Sequence, residues 1–317
     1  MPENSTRRLT HGAMMVAIFT VLLAMSTYVP MMYIIAIWVL PLPLAWFSAK
    51  YALSSSIAAT IVAIALSFIV GGGFAALPAA FIFAVIGLVI GVMIRQKKSK
   101  LAMFLATSGT TLVTFGIVYT LFAKLMNMNI LQMGLDSFEQ SMKLSRKMMV
   151  QANLSDAQMK QFDSQFDMME KMVTYTMPSV IVFCVLTITF IILSINLPLL
   201  KRFKLDVPKF KPFRYMQLPR SILWYYLIVL AVSLFVKPEE GTYFYVAILN
   251  LSLVLSMLLA LQGLSLIIYF LHEKNMPKGV AVIAVIIAIP MMQFVSLIGL
   301  IDLGFNVRAF ITGETKK

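Results

Sequence analysis

Residues Gly71–Lys100 read GGGFAALPAAFIFAVIGLVIGVMIRQKKSK. Three glycines open the stretch, an apolar run without a charge follows as far as Ile94, and Arg95, Lys97, Lys98 and Lys100 close it. An uncharged run of about twenty residues or more matches the hydrocarbon thickness of a bilayer at helical rise. Lys and Arg accumulate on the cytoplasmic side of membrane proteins, so the basic cluster predicts that this helix exits there. The stretch therefore assigns the chain to the polytopic integral membrane proteins.

The composition agrees. Of 317 residues, 60% are hydrophobic and 12% charged, and mean hydropathy is +0.90. Soluble domains carry roughly 25% charged residues, so this chain cannot dress a water-facing surface. Its formal charge of +13 sits in loops beside apolar runs, where it sets orientation and meets anionic headgroups. The basic loops carry no recognisable nucleic-acid module, and no nucleic-acid partner is expected. Cys184, the one cysteine, lies in an apolar run and reads as a small buried residue. The N-terminal MPENSTRRLTHGAMM places Arg7 and Arg8 before an apolar run in the manner of a signal peptide. No small-residue cleavage site follows, and Tyr28-Val29-Pro30 leads into another span, so we read a retained first helix.

Working outward from the quoted stretch, hydropathy predicts earlier helices over Gly12 to Val29, Met31 to Phe47 and Tyr51 to Val70. Pro41 and Pro43 bend the second near its inner end, and Trp46 is placed as an interfacial anchor. Within the quoted helix Gly87 and Gly91 form a G-x-x-x-G pair that lets another helix approach closely. The next helix, Leu101 to Ala123, carries Thr107, Ser108, Thr110, Thr111 and Thr114, a polar stripe that must face protein or a wet cavity.

Residues 124–172 are an insertion of different character, with six basic and six acidic residues. Leu131, Leu135, Phe138, Met142 and Met149 share one face of a first amphipathic helix. Ser155 with Gln158 forms a capping box for a second. In that helix Met159, Phe162, Phe166, Met169 and Val173 form an apolar stripe. The second helix is expected to run unbroken into a sixth span, Val173 to Leu200, kinked at Pro178. A basic cytoplasmic linker occupies 201–220, with seven basic residues against Asp206. Beyond it are helices over Ser221 to Val236, a long run to Leu271, and Gly279 to Ile301, then a short tail from Asp302.

The expected fold class is thus all-α. It is a polytopic membrane protein of about eight or nine transmembrane helices, with a six-helix part over 1–200 and a C-terminal three-helix part over 221–317. Starting inside, cytoplasmic segments hold sixteen basic residues and outer segments four, leaving aside the charge-balanced insertion. The positive-inside rule is obeyed with a cytoplasmic N-terminus. Nine spans would strand the basic tail outside, which makes the C-terminal spans the weak point of the count.

No catalytic constellation, cofactor fingerprint or metal-ligand spacing is present. His11 and His272 lie at helix ends without cysteine or H-E-x-x-H partners, and no Walker A loop occurs. The methionines of the insertion, Met126-Asn127-Met128 and Met148-Met149 among them, suit adaptable apolar packing better than a soft-metal site. No predicted span has an acid or base at its centre, unlike proton relays and ion channels. Uncharged polar and aromatic groups gather instead near the outer ends. Tyr28 and Tyr33 bracket one outer turn, and Gly71, Gly72, Gly73 and Phe74 form another. Aromatics and glycine-turn amides suit a small, largely uncharged ligand; the alternative is an interfacial belt beside a tight turn.

The basic N-terminus, the quoted stretch, the charged hairpin and the terminal GLIDLGFNVR resemble the YybS-like family of membrane proteins of Gram-positive bacteria. More remotely, residues 1–200 resemble the substrate-capture (S) components of energy-coupling-factor vitamin transporters. The first helix of those proteins carries an A-x-x-x-A pattern that docks on a transmembrane coupling subunit, and Ala13-Met14-Met15-Val16-Ala17 matches it. This resemblance implies a bacterial cytoplasmic membrane protein that captures a small molecule and depends on a coupling subunit and a separate ATPase. The insertion at 124–172 and the extra helices after the sixth span depart from that pattern. They raise a second expectation, a scaffold that recruits envelope or cytoplasmic partners.

Overall fold

The computed structural model describes residues 5–126, 130–151, 156–208, 212–305 and 307–312. Every regular element among them is helical: α1 (Ser5–Tyr28), α2 (Met32–Val39), α3 (Leu42–Lys50), α4 (Leu53–Val70), α5 (Leu77–Arg95), α6 (Lys100–Met126), α7 (Ile130–Gln151), α8 (Asp156–Arg202), α9 (Ser221–Phe235), α10 (Tyr243–Glu273), α11 (Lys278–Ala288), α12 (Met292–Phe305) and α13 (Val307–Thr312). Short 3-10 turns occupy Gly73–Ala75 and Phe213–Tyr215. Among the described residues seven stretches are long and apolar enough to cross a bilayer, α2 and α3 counted as one, and the bent pair α11–α12, if one span, brings the number to eight. The apolar α9 is shorter, at 15 residues.

The chain forms two compact units, Met1–Ser155 with Cys184–Lys209, and Asp156–Phe183 with Phe210–Lys317. The sequence placed a boundary at residue 200, whereas contacts divide α8 itself. The insertion's second helix does run unbroken into the sixth span. At 1.5 Å per residue its 47 residues reach ~70 Å, more than twice the ~30 Å hydrocarbon core. One helix of that length can therefore serve both units. Ser155, offered as its cap, lies outside the described residues.

In the first unit, Phe19 and Leu23 of α1, Leu40 and Leu44 around α3, Ile86 and Ile90 of α5, and Ile192 and Leu193 of α8 are almost completely buried. Proline shapes the second span as expected. The Leu40 N–H bonds Ala36 O to close α2, Pro41 precedes α3, and Pro43 occupies its first turn, where a missing N–H costs nothing. The G-x-x-x-G pair of α5 meets α3 backbone to backbone. A Cβ added at Gly87 would lie 2.6 Å from Pro41 O, and one at Gly91 would overlap Ala45 O. Lipid tails are as apolar as the helices, so such close backbone packing, not water exclusion, holds spans together.

In the second unit the same device recurs where no motif announced it. A Cβ at Gly263 of α10 would overlap Val295 O, and one at Gly299 of α12 would overlap Leu259 O. The helix expected over Gly279 to Ile301 is broken. Pro290 lies between α11 and α12, which meet at 109°; proline cannot continue the ladder of amide bonds. The run from Tyr243 to Leu271, by contrast, is one helix, capped by Thr242 Oγ1 accepting from the Tyr245 N–H at 3.2 Å.

Asn250 of α10 clips the proline turn of α8. Its Oδ1 accepts from the Ser179 N–H at 3.2 Å, and its Nδ2 donates to Tyr175 O at 2.7 Å. Proline in a spanning helix is tolerated when a neighbour re-satisfies the disturbed backbone, and Asn250 does so beside Pro178. Cys184 corrects an expectation: it is exposed on α8, so this apolar run turns the cysteine outward where a buried residue was anticipated.

Candidate functional site

The outer turn between α4 and α5 is built by its glycines. Gly72 and Gly73 have φ of 98° and 72°, left-handed values that side chains resist. Gly71 is buried, and a Cβ there would lie 2.5 Å from Ser67 O and 2.8 Å from Ala76 Cβ. The structure brings Tyr28 to this turn: its hydroxyl would lie 3.5 Å from a Cβ placed on Gly72. Phe74 packs edge-on against Phe68, ring centres 5.2 Å apart. Tyr28, Phe74 and Tyr33 are all exposed, and no contact described here ties Tyr33, on α2, to the other candidates.

Ala13 and Ala17 of α1 are exposed side by side, as residues four apart share a helix face. The opposite side of α1 is occupied: Gly12 sits against the Phe47 ring, and Val16 and Phe19 are buried. The alanine face thus remains uncovered by this chain's own described helices.

Hydroxyl side chains line the interior of the first unit. On α6, Thr107, Ser108, Thr111 and Thr114 are buried, Thr110 partly so. Thr111 Oγ1 donates to Thr107 O at 2.8 Å, and Thr189 Oγ1 of α8 lies 3.4 Å from Thr111 Oγ1. Two turns further along α8, Asn196 Nδ2 donates to Trp38 O and Ile192 O, both at 2.8 Å. Thr107 Oγ1, Ser108 Oγ and Asn196 Oδ1 are buried with no hydrogen-bond partner, as are Thr20 Oγ1, Ser48 Oγ and Ser67 Oγ. A buried polar atom left unpaired costs about 1–3 kcal/mol, so this interior has hydrogen-bonding capacity to offer.

The second unit holds a buried ionic network absent from the sequence reading, which left Asp302 and Arg308 in a tail. Arg308 is 6% exposed and Asp302 5%. Arg308 Nε donates to Asp302 Oδ2 at 3.1 Å. Its Nη1 donates to Arg214 O at 2.8 Å, and its Nη2 to Met216 O at 2.8 Å and Ser265 Oγ at 3.0 Å. Gln262 Nε2 donates to Asp302 Oδ2 at 2.5 Å, and Gln262 Oε1 accepts from the Leu218 N–H at 2.9 Å. The guanidinium also lies over the Tyr269 ring, 5.3 Å from its centre. Further hydrogen bonds offset the desolvation of a buried ion pair; those to Asp302 all fall on Oδ2, and its Oδ1 is buried without a partner. Here the bonds to Arg214 and Met216 fasten the basic linker to α13, and the bond to Leu218 fastens it to α10. The sequence signal that could have found it is an acid inside the apolar GLIDLGF, six residues before an arginine.

At the start of α1 a cavity of about 340 Å³ is lined by Thr6, Arg7, Thr10 and His11. His11 Nδ1 lies 2.5 Å from the Tyr51 hydroxyl. His272 is exposed, 3.8 Å from Glu273 Oε1. Among the described residues no three His, Cys, Asp or Glu side chains gather where a metal ion could be held.

The chain matches the family described as "Predicted membrane protein (DUF2232)" over residues 17–303. It is 31% identical over 313 residues to "Uncharacterized protein YybS" of Bacillus subtilis (strain 168), covering 96% of this chain and 98% of that one. No solved structure matches it.

Proposed function

The chain belongs to this family of predicted membrane proteins, and on that premise we propose that its first compact unit captures a small, largely uncharged polar molecule for uptake. The observation that carries the reading is the hydroxyl-lined interior shared by α6 and α8. Thr107, Ser108 and Asn196 hold polar atoms there that the protein does not satisfy. A molecule rich in hydroxyl or amide groups would complete those bonds, entering past Tyr28, Gly72 and Phe74. The chain has no nucleotide-binding loop, so the energy would come from a separate ATPase through a coupling subunit seated on Ala13 and Ala17. The same reading assigns no enzymatic activity. It places the protein in the bacterial cytoplasmic membrane with its N-terminus inside.

Mass spectrometry of small molecules that copurify with the full chain in mild detergent tests this. A molecule retained by the wild type and lost from Thr111→Val/Thr189→Val supports capture. Identical small-molecule content in the two proteins overturns it. Replacing both Ala13 and Ala17 by Leu should abolish uptake while leaving expression intact.

One observation favours the second reading, a scaffold. α7 exposes Met133, Leu144, Met148 and Val150 on a helix otherwise rich in charge, a surface suited to a protein partner. Deleting residues 130–155 would then remove a copurifying protein, whereas under the capture reading it would weaken retention of the small molecule.

A further inference from the structure

Unit one is charged in one sense only over most of its length. Between Asn4 and Leu135 the chain contains no Asp or Glu, yet it carries Arg7, Arg8, Lys50, Arg95, Lys97, Lys98, Lys100 and Lys124. Several of these converge at the start of α1. Lys50 Nζ lies 4.0 Å over the Trp46 ring centre, and the His11 ring stands edge-on to the same indole at 5.5 Å. Arg7 is within electrostatic reach of Lys50. His11 meets the Tyr51 hydroxyl, and Arg95 donates to the Tyr51 carbonyl. Tyr51 is itself buried, so α1, α3 and α5 hold these cations on a fixed frame. Like charges held near one another repel, and among the described residues α1 to α6 carry no carboxylate; Glu3 precedes α1 and Asp206 follows α8.

We propose that the cavity at the start of α1, lined by Thr6, Arg7, Thr10 and His11 and flanked through Trp46 by Lys50, binds the phosphate of an anionic glycerophospholipid. The phosphate supplies a negative charge, and Thr6 supplies a hydroxyl donor at the rim, the Thr10 hydroxyl already donating to Thr6 O at 2.9 Å. The same face of α1 continues as Met14, Ile18 and Val21, exposed by 46%, 41% and 55%. These positions follow Arg7 and His11 at steps of three, four and seven along the helix, so they share its stripe. An acyl chain attached to the bound phosphate would lie along that stripe. This track marks the ligand as a lipid headgroup and not a free phosphate. Clustered basic side chains at a membrane face are suited to such headgroups. The inference does not depend on the capture reading.

The test uses the full chain in nanodiscs of phosphatidylglycerol and phosphatidylcholine at a fixed ratio, with lipids retained after detergent washing counted by mass spectrometry. Wild type should hold phosphatidylglycerol in preference to phosphatidylcholine. Arg7→Gln/Lys50→Gln should reduce that retention about tenfold. Arg7→Lys/Lys50→Arg, which keeps the charges, should restore it and shows that the site still folds. Lys97→Gln/Lys98→Gln, two exposed cations in the loop after α5, should leave retention unchanged. Equal loss in the loop variant would mean diffuse surface charge and would overturn the site. Equal retention of the two lipids would overturn the anion preference. Displacement of phosphatidylglycerol by millimolar inorganic phosphate would show a soluble-anion site and overturn the lipid assignment.

Discussion

Asp302 and Arg308 form a buried ion pair, Nε to Oδ2 at 3.1 Å, six residues apart across the α12–α13 junction. Removing one partner of such a pair strands the other charge, at about 3–5 kcal/mol, whereas replacing both with apolar residues is often tolerated. Arg308→Gln or Asp302→Leu alone should therefore lower the thermal midpoint of the purified protein sharply. Asp302→Leu/Arg308→Met should cost less than the two singles combined. A double variant whose loss equals the sum of the singles would show that the pair is not coupled.

The backbone contact between α10 and α12 makes a second expectation. Gly263→Ala forces a methyl group into Val295 O, and overpacking of this kind typically costs 1–3 kcal/mol, occasionally more. Gly109→Ala, where an added Cβ meets nothing within 4 Å, should be neutral or mildly stabilising, since alanine favours helix. Detergent melting curves of the two variants compare them directly. Equal midpoints would refute the close crossing.

Membrane sidedness gives a third. Lys274 and Lys278 flank the short connection from α10 to α11, while Arg308, after α12, bonds to the linker carbonyls of Arg214 and Met216. That linker lies along the C-terminal half of α10, at Gln262 and Ser265. The pair α11–α12 thus begins and ends toward the same end of α10, as a re-entrant pair would. In a Cys184→Ser background, cysteines at Gln217 and Phe310 should share protection from a membrane-impermeant thiol reagent in intact cells. One at Ser141 should react. Labelling at 310 with protection at 217 would show that α11–α12 crosses the membrane. Lys209 and Ser155, natural choices from sequence alone, lie outside the described residues.

Asn250 supplies the fourth. Asn250→Leu removes both side-chain bonds to α8 and leaves the proline turn without those partners. Stability should fall by about 1–3 kcal/mol. Pro178→Ala in the same background should recover part of it, because the alanine amide repairs the ladder. No recovery, read from the thermal midpoint, would mean that Asn250 acts elsewhere.

The spans were legible because one signal, apolar length, decides them. The break at Pro41 and the close approach at Gly87 and Gly91 were legible because proline and paired glycine have few other uses inside a helix. Three things were not. Gly263 and Gly299 lie in separate helices, neither with a second glycine four residues away, and no spacing within either reveals that they meet. Asp302 and Arg308 sit near the end of an apolar run, where charge ordinarily signals a loop; only the fold shows them turned inward. Pro290 is visible in the sequence, but the run around it reads as one helix because hydropathy is blind to a 109° bend. Of the candidate residues, Tyr28 and Gly72 come together because α1 ends at Tyr28 beside the turn that follows α4. Tyr33 brackets the first outer turn with Tyr28 along the chain, and that nearness in sequence does not bring it to the glycine turn.

The glycine crossing of α10 and α12 bears on how the protein behaves in the cold. Attraction that depends on expelling water weakens as temperature falls, but two helices in lipid gain little from that source. Where Gly263 meets Val295 and Gly299 meets Leu259, no side chain intervenes and no rotamers are frozen. What remains is dispersion between backbone atoms, which chilling does not diminish. This joint should keep its geometry at temperatures that loosen the water-facing contacts of the same molecule.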